Sequence, residues 1–283
     1  MRFLCLFLAA LTAAGVEARP GHDDVGRVAV PDGYLAYDEK GQGAPIVLLH
    51  GAFLDRHSWD GSFDVLARLF RVMRYDVRPF GASSPVERAY APTDDLLRFL
   101  DDRGAQKAHL IGHSFGGAVA LDFALQRPDR VASLTLVSAP PSGFVASQNE
   151  RQQAMGVFMA ARTSTEAAVA AWLALPMWDA VRQRPEAWAA LRASTDRSAH
   201  LFQAPSAPFT PPATPALSQL GSVKVPVLIV IGGRDTEGNR QGSDLLAREI
   251  PGSKRVVISD ADHAIPFGWA AELNASVLDF LPR

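Results

Sequence analysis

Ser114 stands at the centre of Gly112-His113-Ser114-Phe115-Gly116, a G-x-S-x-G pattern in which a serine is held on a sharp turn between a strand and a helix. The setting fits that use. Residues 107–111 read as a short strand ending in apolar residues, and 117–125 read as a helix closed by Arg127-Pro128. Such a turn forces the serine into a strained backbone conformation, so its neighbours must be small. Gly112, Gly116 and Gly117 supply that room. A serine hydroxyl is a poor nucleophile near neutral pH. It needs a base within hydrogen-bond reach, and the base needs an acid to orient it.

The elements that must position such groups read as an α/β chain. At 283 residues and 48% hydrophobic content, the length suits one large α/β domain or two small ones. A net charge of −2 leaves no basic footprint for nucleic acid, and no Lys/Arg run suggests a membrane surface. The first residues stand apart from the fold. Met1-Arg2 gives a positive start, Phe3 to Val16 is an apolar run, and Val16-Glu17-Ala18 supplies the small residues of a cleavage site. This predicts a signal peptide over residues 1–18 and an exported protein, periplasmic or secreted. The run is shorter than the roughly 18 apolar residues of a spanning helix, so no membrane association is expected after cleavage. The single cysteine, Cys5, lies in this leader. The mature chain would lack disulfides, a thiol nucleophile and cysteine-based metal sites.

Val28–Val30 and Tyr34–Tyr37 flank Asp32-Gly33 and predict an antiparallel hairpin. Strands are expected at Pro45–Leu49, Arg71–Asp76, Ser133–Val137, Val225–Ile231 and Arg255–Ile258. Helices are expected at 93–103 with Thr93 as N-cap, at Ser243–Ile250, and within Pro266–Leu281. Alternating strands and helices predict a mostly parallel sheet of about eight strands flanked by helices. Residues 141–216 break the alternation. They read as an Ala-rich helical cap inserted after strand six, with a Pro-rich return segment, between core segments 27–140 and 217–283.

This order of motifs resembles the α/β-hydrolase superfamily in its capped serine-hydrolase branch. The likeness covers about residues 27–283 and rests on five segments: the elbow, His50-Gly51, Asp76-Val77-Arg78-Pro79-Phe80-Gly81-Ala82-Ser83, Gly232-Gly233-Arg234-Asp235 and Asp262-His263. Pro79 and Asp262 depart from it, each standing where the family usually has glycine, and Asp262 could perturb the neighbouring histidine. The resemblance implies a triad of Ser114, Asp235 and His263, with Asp260 and Asp262 as competing acids beside the histidine. It implies an oxyanion hole from the backbone N–H groups of Ala52 and Phe115, with His50 bracing the oxyanion loop and His113 packed beside the nucleophile. No metal or organic cofactor is needed.

Apolar side chains of the cap, with Phe53 from the oxyanion loop, suggest a pocket in which Phe53, Phe144, Trp172 and Trp178 are the candidate substrate contacts. The implied function is an exported serine hydrolase cleaving a small, apolar carboxylic ester or lactone through an acyl-enzyme. Two alternatives use the same triad, a cofactor-free perhydrolase (haloperoxidase-like) and a C–C bond hydrolase. A third is a small-molecule binding protein with little turnover. Ser114 argues against epoxide or haloalkane chemistry, which places aspartate at the elbow. The expected partner is a small-molecule substrate, and the sequence carries no signal for oligomeric state.

Overall fold

The computed structural model describes residues 24–204 and 209–282. The expected leader with Cys5, and part of the Pro-rich return, lie outside the described residues. Among the described residues, eight strands form one sheet: β1 (Asp24–Val30), β2 (Gly33–Lys40), β3 (Pro45–Leu49), β4 (Arg71–Tyr75), β5 (Ala108–His113), β6 (Val131–Val137), β7 (Val227–Gly232) and β8 (Lys254–Ile258). Their order is β1-β2-β4-β3-β5-β6-β7-β8. β1 and β2 pair antiparallel, as do β2 and β4, and every later pairing is parallel. The β1–β2 turn has Asp32 at φ 61°, in the left-handed region that Asp tolerates better than most residues.

Both faces of the sheet are covered. Along β3, Val47 and Leu49 enter one core with Phe99 and Phe123, while Ile46 and Leu48 enter the other with Trp59 and Trp269. Side chains alternate faces along a strand, so a continuous apolar run is what a strand buried on both faces requires. Around the sheet lie α1 (Asp60–Leu66), α2 (Pro92–Asp102), α3 (Phe115–Gln126), α7 (Glu237–Glu249), α8 (Ile265–Gly268) and α9 (Ala270–Phe280). Between β6 and β7 come α4 (Gln148–Ala161), α5 (Thr165–Leu173) and α6 (Pro185–Arg197).

Two helix starts differ from expectation. α2 begins at Pro92, with Ala91 as its N-cap, so Thr93 is a helical residue and caps nothing. Proline at the first helical position has no N–H to leave unpaired and a backbone angle already suited to the helix. α7 begins six residues before Ser243, because the Thr236 side chain accepts from the Asn239 N–H and starts the helix there.

The roots of the β6–β7 insertion meet on α3. The Ser142 hydroxyl donates to Asp122 Oδ1 at 2.6 Å and accepts from the Ala216 N–H at 2.8 Å. Burial pushes the Asp122 carboxyl up to about 6, against the opposing Ser142 hydrogen bond. A carboxyl raised on folding binds its proton more tightly in the folded state. Its contribution is therefore complete below the unfolded value and is lost as pH rises through about 6. Asp122→Asn keeps an acceptor for Ser142 and removes the titration. It is expected to flatten the fall in Tm between about pH 4 and pH 6, measured by thermal melts across that range.

Candidate active site

The serine turn is built as its glycines demand. Ser114 lies between β5 and α3 at φ 51°, ψ −118°, and its N–H donates to the Val137 carbonyl at 2.9 Å. A Cβ on Gly116 would lie 2.4 Å from the Leu49 carbonyl oxygen, and one on Gly112 would lie 2.5 Å from that of Gly116. Both obstacles are backbone and cannot swing aside. As the first residue of α3, Phe115 has no intrahelical acceptor for its N–H.

Facing it is the loop after β3. The Leu54 N–H closes a turn on the Gly51 carbonyl at 3.3 Å, with Ala52 and Phe53 between, and Phe53 has φ 56°. His50 fixes this loop and its own tautomer. Nε2 accepts from the Val77 N–H at 2.9 Å, so Nδ1 carries the proton donated to the Gly51 carbonyl at 2.8 Å. From the insertion, the Ser198 hydroxyl donates to the Leu54 carbonyl at 2.9 Å, and the Ser194 hydroxyl donates to Asp55 Oδ1 at 2.7 Å.

Asp235 follows β7 and His263 follows β8, so both emerge at the same sheet edge as Ser114. His263 Nδ1 lies 3.1 Å and 3.2 Å from the two Asp235 carboxylate oxygens. Asp235 also accepts from the Thr236 N–H at 2.7 Å and from Asn239 Nδ2 at 2.8 Å. Burial alone would raise the Asp235 carboxyl. The His263 ring and the Asn239 amide outweigh it and hold the group below the ordinary aspartate value. Behind the site, His113 is fully buried, and burial together with the nearby His263 lowers it to about 3. It is therefore neutral, and its Nε2–H donates to the His263 carbonyl at 2.8 Å.

The competing acids are placed elsewhere. Asp260 is exposed. Asp262 is buried, with Oδ2 accepting from the N–H groups of Ala180 and Val181 at 2.9 Å and 2.8 Å, and Oδ1 accepting from that of Ala264 at 3.0 Å. The residue that departs from the glycine pattern thus clamps the histidine loop to the insertion. The His263 N–H adds a bond to the Met177 carbonyl at 3.3 Å. Asp262→Ala strands three backbone donors and is expected to cost about 2–4 kcal/mol. It should lower Tm, read by thermal denaturation.

Ser114 and His263 open into one cavity of about 350 Å³, with Asp235 behind His263 and outside the lining. Phe53 and Trp172 line it, with rings 5.3 Å apart. Phe144 and Trp178 do not, which corrects the expected substrate contacts. Trp178 is buried, with its ring 5.5 Å from the His263 ring and 5.6 Å from that of Trp172. Phe144 lies beside Gly242 of α7. Large apolar residues in a helical insertion serve its own packing as readily as a pocket, and composition alone does not separate the two uses.

Several lining residues escaped the sequence reading. Phe202 stacks on Phe53 at 4.3 Å and 8° between planes, and no motif marks it. Asn239 and Thr236 were hidden by the misplaced start of α7. Glu150 carried a readable signal, the capping box Ser147-x-x-Glu150 at the start of α4. A larger cleft of about 540 Å³ beside Tyr90 and Asp94 contains none of the groups above.

Known proteins resemble this chain along most of its length. A family model described as alpha/beta hydrolase fold matches residues 44–268. A pimeloyl-(acyl-carrier protein) methyl ester esterase from Nitrosomonas europaea is 27% identical over 263 residues, covering 85% of this chain and 96% of that protein. The dihydrolipoyllysine-residue acetyltransferase component of an acetoin cleaving system from Pseudomonas putida is 29% identical over 257 residues. That alignment covers 85% of this chain but 64% of the Pseudomonas putida protein, so this chain spans less than two thirds of its length. The crystal structure of a hydrolase from Pseudomonas aeruginosa PA01 superposes with TM-score 0.78 at 27% identity, covering 92% of this chain and 99% of that one.

Proposed function

The chain belongs to the alpha/beta hydrolase fold family and is a hydrolase of that fold, and from that premise we propose that it cleaves a small, apolar carboxylic ester or lactone with Ser114, His263 and Asp235 as its catalytic triad. The observation that carries this reading is the placement of Ser114 and His263 on one cavity wall, with the Asp235 carboxylate 3.1 Å behind the ring. The Nitrosomonas europaea esterase, aligned over nearly its whole length, supports an ester as the substrate.

Asp235 accepts the Nδ1 proton of His263 and leaves Nε2 free as the base. Nε2 takes the Ser114 proton as Oγ attacks the substrate carbonyl carbon. The backbone N–H groups of Ala52 and Phe115 hold the oxyanion in a site that needs no rearrangement during the reaction. The tetrahedral intermediate collapses, the C–O bond to the alcohol breaks, and the alcohol leaves with the proton from Nε2. Water, deprotonated by the same nitrogen, then attacks the acyl-enzyme and releases the carboxylic acid and Ser114. Within this reading the protein is exported, on the strength of the apolar leader at residues 1–18. Cell fractionation with and without that leader tests this point.

The test of the chemistry is labelling of the mature protein by a fluorophosphonate, mapped by peptide mass spectrometry, beside a panel of neutral esters and lactones. Adduct formation on the Ser114 peptide with ester or lactone turnover is the expected result. Absence of both would refute the reading. Turnover confined to peroxide or diketone substrates would move it to perhydrolase or C–C chemistry.

A further inference from the structure

The lining of the cavity beside Ser114 holds two chemically distinct groups of side chains. One is aromatic: Phe53, Trp172 and Phe202 contact one another, with ring centroids between 4.3 Å and 6.1 Å apart. The other is polar, formed by Glu150, Thr236 and Asn239 with Gln153 nearby on α4. Glu150 is the one carboxylate in the described lining, and no lysine or arginine joins it there. Its hydrogen-bond partners are neutral. Oε2 accepts from the Ser147 N–H at 2.8 Å, and Oε1 accepts from the Gly238 N–H at 3.2 Å. Burial would raise this carboxyl, but hydrogen bonds from Thr236 and Ser147 prevail and hold it below the ordinary glutamate value. The nearest basic group on the same helix, Arg151, turns its guanidinium to the Ala146 carbonyl and is not part of the lining. The polar group therefore carries a negative charge, and no lysine or arginine shares the lining with it.

We propose that Glu150 sets the charge specificity of this cavity: esters whose acyl chain ends in a carboxylate are rejected, and esters with an uncharged or ammonium end are accepted. The proposal rests on the ester-hydrolase reading above. Its physical basis is the interaction of two like charges in a cavity of reduced dielectric, which falls as salt screens it. Comparing an anionic with a cationic substrate isolates the sign, because both ends lose hydration on entry while only one is repelled.

The experiment measures kcat/KM for methyl hexanoate, monomethyl adipate and the methyl ester of ε-aminohexanoic acid, with fluorophosphonate labelling in parallel. The ammonium ester is expected to exceed the carboxylate ester by about tenfold or more at low salt. That ratio should shrink as ionic strength rises from about 10 mM to about 500 mM, and should collapse towards unity in Glu150→Gln. The salt series uses the wild-type protein, so it stands even if the variant folds poorly. Equal turnover of the two charged esters, or a ratio unmoved by both salt and substitution, would overturn the proposal while methyl hexanoate turnover leaves the hydrolase reading intact. Failure of all three esters together with absent labelling would overturn both.

Discussion

Ser114→Ala is expected to lower kcat for a neutral ester by about 10⁶-fold, roughly 8 kcal/mol of activation free energy, with KM little changed. The hydroxyl is the only group on the proposed path that forms a bond to the substrate, and no neighbouring side chain can replace it. His263 is held by Asp235 through Nδ1, and water attacking directly would lack the covalent step that divides the barrier. Residual catalysis about 10³-fold or more above water should survive, because the backbone donors of Ala52 and Phe115 are untouched. The fold should survive as well. Alanine has the same Cβ as serine and meets the same backbone at φ 51°, so Tm should stay close to wild type. Steady-state kinetics checks the first point and a thermal melt the second. A variant that keeps turnover within tenfold of wild type would remove Ser114 from the mechanism.

What could be read in the chain before folding followed the range of each signal. The serine turn was legible because its glycines cluster beside Ser114 in sequence, although what they make room for comes from elsewhere: the Leu49 carbonyl at Gly116 and the Ala139 side chain at Gly117. The strands were legible because burial on both faces leaves continuous apolar runs such as Pro45–Leu49. The start of α7 was concealed by Gly238 and Gly242, which weaken a helical pattern, while the cap residue Thr236 lay next to the expected acid. That error also hid Asn239, whose amide reaches both Asp235 and His263. The cavity lining was the least legible part. Phe202 reaches Phe53 across a separation of 149 residues in sequence (202 − 53), and Trp178 has the composition of a pocket residue but the burial of a core one. Asp262 looked like a hazard to the histidine until its acceptors were seen to hold Ala180 and Val181.

Asp235→Asn is expected to lower kcat by about 10⁴-fold at neutral pH, again with little change in KM, because Asp235 is outside the cavity lining. The effect depends on which way the new amide must face. Oδ1 accepts from the Thr236 N–H at 2.7 Å and from Asn239 Nδ2 at 2.8 Å. An asparagine keeps both bonds only with its carbonyl oxygen in the Oδ1 position. Its NH₂ group then occupies the Oδ2 position, 3.1 Å from His263 Nδ1. A donor there favours the tautomer in which Nδ1 accepts and Nε2 carries the proton. In that tautomer Nε2 cannot take the Ser114 proton, so the base is lost while the geometry is kept. Fluorophosphonate labelling should slow in parallel, since it needs the same activated hydroxyl. Asp262 cannot substitute, because its oxygens are committed to three backbone N–H groups, and Asp260 points into solvent. A variant retaining kcat within tenfold would remove Asp235 from the role of orienting acid.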